Sequence, residues 1–398
     1  MAICLLCGFS SGLPLWVTLQ LLPAWLQDRG VDLETIGLLA LTGVPYTWKF
    51  AWAPLLDRYV PPLLGRRRGW ALLTQVALFA AMSGFAWVDP VVSIRSVAAL
   101  AFAVALFSAT QDIALDAWRR ELLADEELGL GNALFVNAYR FSSLVPGGLA
   151  LILAERQPWS TVHLVVAAFM GVGVMTSLLA PEGRGDEAPP GSLVEAVVGP
   201  FRELWRRGAG RDTLLLLAFM LSFKLGDSMA TALITAFYLD IGFTLLEVGS
   251  IAKVVGLWAS ITGGTLGGLL MARWGITRCL WVFGGVQTVC ILAFAALAWI
   301  GPNPWALGAA VAAEYLGVGL GTSALVAFLA SQTDRRYTAT QYALFSSLVA
   351  LPRTLANATT GYLAASLGWV GFFLLCAALS VPGLLLLPWV APWPRAEA

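Results

Sequence analysis

Nine ionisable residues interrupt the long apolar stretches of this 398-residue chain: Lys49, Asp112, Asp116, Arg140, Lys224, Asp227, Lys253, Glu314 and Arg353. A charge in an apolar medium is costly unless it is paired, neutralised by a proton or turned toward water. The carboxylates Asp112, Asp227 and Glu314 are therefore candidates to take up and release a proton. The bases Lys49, Arg140, Lys224, Lys253 and Arg353 are candidates to attract an anion. Asp112 and Asp116 share one helix face, and Arg119 falls within reach of Asp116. The plain alternative is local pairing: Asp116 with Arg119 as a capping or gating ion pair at the membrane surface, and Lys224 with Asp227 one turn apart. For Asp112 three readings stand open: proton acceptor, hydrogen-bond partner of a ligand, or structural mate of a nearby base. Arg140 and Arg353 are either a pair of carboxylate clamps or permanent ion pairs, one in each half of the chain. All three lysines of the chain lie in apolar segments. Glu314 sits among glycines that permit close packing or bending.

The elements carrying these residues are long and apolar. Hydrophobic residues make up 59% of the chain and charged residues only 12%, about half the charged share of an ordinary soluble domain. The spacing predicts twelve membrane-crossing helices at 2–27, 33–56, 70–88, 96–118, 128–153, 160–180, 213–239, 245–272, 278–299, 304–331, 338–365 and 369–390. The first runs past Leu26 without a basic leader and reads as a retained span. Connections after even-numbered segments carry fifteen arginines, among them Arg58, Arg66 to Arg68, Arg119, Arg120 and Arg184. Those after odd-numbered segments carry Arg29, Arg95 and Arg156. The positive-inside rule then places both termini in the cytoplasm. Between the sixth and seventh segments, "PEGRGDEAPPGS" reads as a polar linker. It continues into "LVEAVVGPFRELWRRG", whose apolar residues share one face and predict a short helix on the membrane surface. The expected organisation is thus 1–180, a cytoplasmic linker at 181–212, and 213–398.

The two halves repeat one another. "AWLQDRGVDLETIG" (24–37) aligns without a gap on "AFYLDIGFTLLEVG" (236–249), with Asp28 on Asp240 and Gly30 on Gly242. Two parallel copies of six helices is the organisation of the major facilitator transporters. The cytoplasmic turn "APLLDRYVPPLLGRRRG" resembles that superfamily's signature, with Asp57 and Arg58 in place. The second copy, "GLLMARWGITR", keeps Arg273, Gly275 and Arg278 but has Ala272 at the acidic position. None of the nine buried charges lies in the third, sixth, ninth or twelfth segment. In a major facilitator arrangement those four face lipid, and the other eight line or flank a central cavity.

A narrower resemblance rests on "GFSSGLPLWVTLQLLPAWL", "LETIGLLALTGVPYTWKFAWAPLLDRY" and "SATQDIALDAWRREL", continued by "NAYRFSSLVPGGLAL" and "QYALFSSLVALPRTLANATTGYLA". These stretches resemble the AmpG family of muropeptide permeases. The resemblance implies an all-α, twelve-helix membrane protein that is not an enzyme. It would sit in a bacterial inner membrane and import N-acetylglucosaminyl-anhydromuramyl peptides into the cytoplasm for peptidoglycan recycling, driven by the proton gradient and, in some bacteria, tied to β-lactamase induction. By motif it points to Lys49, Asp57, Arg58, Gln111, Asp112, Asp116 and Arg140, with Asp57 and Arg58 joining Asp116 and Arg119 as gating candidates. An anionic sugar peptide would suit a cavity of buried bases, the amides Gln111 and Asn137, and aromatic rings. Another anionic cargo (a nucleotide-linked acyl group or small peptide) and a non-transporting sensor are the alternatives. The expected partners are substrate, protons and the bilayer around a monomer, with no nucleic acid. No cofactor or metal is expected: no phosphate-binding glycine loop, nucleophile triad or ligand cluster appears. The five cysteines read as small packing residues, and His163 reads as interfacial.

Overall fold

The computed structural model describes residues 1–183, 189–207, 210–244 and 247–393, apart from the side chains of 33, 34, 37, 40, 207, 249, 335 and 351–358. Backbone amides in hydrocarbon have no water to bond, so an apolar run satisfies them internally as helix. Among the described residues there is no strand. In chain order the helices are α1 (Ala2–Asp28), α2 (33–58), α3 (Arg66–Trp87), α4 (Ile94–Leu122), α5 (128–154), α6 (Trp159–Leu179), α7 (Leu193–Arg207), α8 (Arg211–Asp240), α9 (Ser250–Trp274), α10 (Ile276–Ile300), α11 (Pro304–Ser331), α12 (338–367) and α13 (369–390). Twelve correspond to the expected spans and α7 to the linker helix. Helices α1, α3, α4, α6 and α8 to α11 are each long and apolar enough to cross a membrane. Such helices are those of a multi-pass membrane protein.

The irregularities have local causes. Helix α2 is a chain of short segments, with 3-10 turns at Ala40–Gly43 and Lys49–Ala51 between helical pieces that each begin beside a proline, Pro45 or Pro54. Helix α1 contains Pro14 and then a wide π turn at Val17–Leu21, and α5 has another at Val145–Leu149 around Pro146. Helix α4 runs a turn further than expected, because Arg119, Arg120 and Glu121 stay helical and buried. Gly368 adopts φ +66° and separates α12 from α13.

The residues group into two compact units. The first comprises Met1–Ala124, Leu134–Pro200 and Thr333–Ser347; the second comprises Asp125–Ala133, Phe201–Gln332 and Leu348–Ala398. The first unit's core joins Leu13, Leu21 and Trp25 to Leu78, Phe85, Val104, Val162 and Met170. The second's is richer in rings: Phe237, Tyr238, Phe294, Phe372 and Phe373 meet at its centre. Within it, α9 and α11 approach so closely that a Cβ on Gly263 or Gly319 would strike the backbone opposite.

Repeat-equivalent residues make equivalent contacts. The Trp159 indole N–H donates to Asp28 Oδ2 at 2.7 Å, and that of Trp369 donates to Asp240 Oδ2 at 2.5 Å. Gly30 and Gly242, just beyond those aspartates, both take positive φ, at +78° and +105°. The next helix is capped by a side chain at equivalent positions in each copy, reciprocally in the second. Asp32 accepts from the Thr35 N–H at 2.7 Å. Glu247 accepts from the Thr244 N–H at 2.9 Å, while Thr244 Oγ1 accepts from the Glu247 N–H at 3.2 Å.

Candidate functional site

The first unit contains a buried ionic cluster on α2 and α4. The 3-10 turn Lys49–Ala51 turns Lys49 inward, and its Nζ lies 3.7 Å from Asp116 Oδ2. The guanidinium of Arg119, one turn further along α4, donates from Nη2 to Asp116 Oδ1 at 2.8 Å and to the Tyr342 hydroxyl at 3.2 Å. It also lies over the Phe135 ring, 3.8 Å from its centroid, a cation–π arrangement. The expected surface pair Asp116–Arg119 is thus a buried triad with Lys49. A turn deeper, Asp112 accepts from Ser11 Oγ at 2.6 Å, and Lys49 also acts on it electrostatically. Beside it, Gln111 donates to Ser10 Oγ at 2.9 Å, and Gln111 Oε1 has no hydrogen-bond partner among the described residues. The next helix of this unit to carry candidates is α5, with Asn137 buried and Arg140 half-buried.

A second group closes one end of the same unit. Asp57 is fully buried. It accepts from Arg67 Nη2 at 2.9 Å, from the Thr340 N–H and hydroxyl at 2.9 and 2.7 Å, and from the Ala339 N–H at 3.3 Å. These two amides open α12, where unsatisfied N–H groups and the helix dipole favour an anion. Arg67 is held in turn by Glu121, Nε to Oε1 at 2.8 Å. Glu182 caps α3 through the Arg67 and Arg68 N–H groups, at 2.7 and 3.3 Å. Arg58, the other gating candidate at this turn, lies over the Tyr59 ring. The sequence carried a signal for Arg67 in the arginine triplet 66–68. In the second unit the corresponding position is Ala272. It borders a cavity of about 320 Å³ together with Asp125, Glu126, Gly129 and Met271.

The second unit's cluster is smaller. Lys224 Nζ lies 2.7 Å from Asp227 Oδ2, both on α8 and both largely buried. Glu314 on α11 is wholly buried, and Asp227 and Lys224 are its electrostatic neighbours. Neither carboxylate oxygen of Glu314 has a hydrogen-bond partner among the described residues. Lys253 stands exposed at the start of its helical stretch and makes no ion pair among the described residues. The side chain of Arg353 lies outside the described residues, as does the linker stretch 184–188. His163, expected at an interface, is buried against Trp25, Phe85 and Trp159.

These two clusters, in a bundle of apolar helices, are what a membrane carrier of charged solutes needs: ionic groups kept off the acyl chains. The Major Facilitator Superfamily model matches residues 4–357. An anhydromuropeptide permease of Escherichia coli K12 is 41% identical, over 97% of this chain and 78% of that protein. The chain belongs to the Major Facilitator Superfamily, as an AmpG-type permease. A protein of Haemophilus influenzae is 47% identical, over 98% of this chain and 94% of its own length. Among solved structures, FucP in its outward conformation superposes with a TM-score of 0.78 at 11% identity, covering 97% of this chain and 96% of that one. The human organic anion transporter MFSD10 superposes with a TM-score of 0.73 at 16% identity, covering 97% and 98%. At those identities the likeness is one of fold. The AmpG-type family consists of permeases, not enzymes.

Proposed function

We propose that this AmpG-type permease imports anhydro-muropeptides, the N-acetylglucosaminyl-anhydromuramyl sugars and their peptides, across the bacterial inner membrane with protons, both termini facing the cytoplasm. The observation that carries the substrate is the 41% identity to the E. coli anhydromuropeptide permease along 97% of this chain. The chemistry is compatible. A muropeptide presents peptide carboxylates and sugar hydroxyls. Lys49, Arg140, Lys224, Lys253 and Arg353 supply positive charge for the former; Gln111, with its unpartnered Oε1, and Asn137 supply amides for the latter. Arg119, already stacked on Phe135, belongs with Asp116 in the gate.

The proton is assigned to the carboxylates Asp112, Asp227 and Glu314. Glu314 is wholly buried beside the carboxylate of Asp227, with Lys224 near both, so proton uptake there relieves the burial of a second negative charge. Alternating access then requires the bonds at Asp57 to break and re-form in each cycle, with Arg58 a second gating candidate on the same turn of chain. The test is counterflow of radiolabelled anhydro-muropeptide into liposomes holding the purified protein. Exchange of label with unlabelled muropeptide, faster than with an unrelated dipeptide or acyl-nucleotide, is the expected result. Absence of exchange for muropeptide alongside exchange for another anion would overturn the assignment.

A further inference from the structure

Helix α7 has three faces, and one of them has no cover. Ala196, Pro200 and Leu204 are buried. At 3.6 residues per turn, Val194, Val197, Val198, Phe201 and Trp205 form a neighbouring stripe. All five are exposed, Val194 at 71% and Trp205 at 56%. Arg202 and Arg206 stand exposed along the edge of that stripe. Glu195, toward the start of that same edge, is engaged by Arg336 at 2.6 Å, which offsets its charge.

The helix is also tethered next to the bilayer. It ends at Arg207, and the membrane-crossing α8 begins at Arg211. The connector 208–210 spans no more than about 11 Å even when fully extended. The link is shorter still at the joint: the Gly210 N–H donates to the Trp205 carbonyl at 3.3 Å, and the Thr213 hydroxyl donates to the Leu204 carbonyl at 2.7 Å. Gly210 takes φ +76°, and the Trp205 ring packs where its Cβ would project. An indole held at the mouth of a span is at the depth where tryptophan partitions into a membrane interface.

We infer that α7 is an anionic-phospholipid docking element: its Val194–Trp205 stripe enters the adjoining leaflet, and Arg202 and Arg206 take the phosphate-bearing headgroups. An apolar stripe bordered by arginines suits that surface, since each basic side chain near it adds attraction. The other end of α7 touches residues that follow α11. The Gln341 amide donates to the Pro200 carbonyl at 3.2 Å, and the Tyr337 ring packs on Gly199. Docking therefore positions the segment that Asp57 also holds.

The test needs no substrate, so its failure is separable from failure of the transport assignment. The full chain carrying Val198→Cys is labelled with an environment-sensitive fluorophore, with the unsubstituted chain as the blank for its own cysteines. It is reconstituted into phosphatidylcholine vesicles with or without phosphatidylglycerol. Quenching by doxyl-labelled lipid is compared with quenching by aqueous acrylamide, and Phe201→Cys is run in parallel. The expected result is lipid quenching that rises with phosphatidylglycerol. Arg202→Gln with Arg206→Gln should lower the docked-to-undocked ratio by roughly thirtyfold in those vesicles. Quenching mainly by acrylamide at both positions overturns docking. Lipid quenching indifferent to phosphatidylglycerol and to the arginine substitutions overturns the headgroup assignment.

Discussion

The two copies of the repeat agree at their helix ends and diverge where charge is buried. Both bind the α1-type helix to the last helix of the copy through an indole–aspartate hydrogen bond, Trp159 to Asp28 and Trp369 to Asp240. Both follow it with a glycine at positive φ and a side-chain cap at the start of the next helix. The first copy surrounds every buried carboxylate: Asp116 has Lys49 and Arg119, Asp112 has Ser11, and Asp57 has Arg67 and the α12 amides. The second sets Glu314 beside Asp227, whose partner is Lys224, and has Ala272 where Asp57 would recur. Shared scaffold contacts are what a duplication preserves; the division of ionic work is what each copy acquired by itself. On the proposed reading of the site, Glu314 of the second copy takes the larger share of proton coupling and Asp112 of the first the smaller.

The largest effect should separate the proton sites. Glu314→Gln is expected to lower gradient-driven uptake by at least about tenfold while leaving counterflow intact, because exchange needs no net proton movement. Asp112→Asn should lower driven uptake less, since Ser11 and Lys49 already accommodate that carboxylate. Equal losses, measured side by side in proteoliposomes, would erase the functional contrast between the copies.

Next in size is the missing acid. Asp57→Ala strips the α12 amides of their acceptor and removes one of the two carboxylates that hold buried Arg67, so thermal unfolding in detergent should show a loss of about 3 kcal/mol. Ala272→Asp should change stability by no more than about 0.5 kcal/mol, as the new carboxylate has an open cavity to enter but faces Asp125 and Glu126. A stabilisation comparable to the Asp57 loss would mean the second copy can be given the same closure.

The smallest effect concerns the caps. Hydrogen bonds from the Thr244 N–H and hydroxyl hold the Glu247 carboxyl below its ordinary range. A depressed value in the folded state adds stability at neutral pH, and that increment is lost as pH falls through the folded value. Glu247→Gln, which removes the titrating carboxyl, should therefore flatten the pH dependence of the melting temperature below about pH 5, taking the ordinary Glu value as reference. An unchanged profile would show that Glu247 gains nothing from its cap.

Much of this architecture was legible because it is local. The twelve apolar runs, the linker helix and the one-turn pairs Asp116–Arg119 and Lys224–Asp227 follow from spacing alone. The aligned Asp28 and Asp240 marked a shared contact, though not its tryptophan partner. Bonds between distant stretches were not legible. Nothing in spacing joins Lys49 to Asp116, Ser11 to Asp112, or Asp57 to Thr340. Nor does spacing join Asp57 to Arg67, which α3 brings against it. The burial of the Asp116 pair was missed because α4 runs on past the expected boundary.

The wide turns at Val17–Leu21 and Val145–Leu149 meet where Gln20 packs on Gly147. A π turn holds one residue more than an α turn. Each of these helices therefore stores a surplus residue, and removing one from either segment would restore a regular coil without re-registering the packed ends. Length variation in this protein's lineage is accordingly expected to concentrate at these two positions, where the chain can lose a link and keep its neighbours.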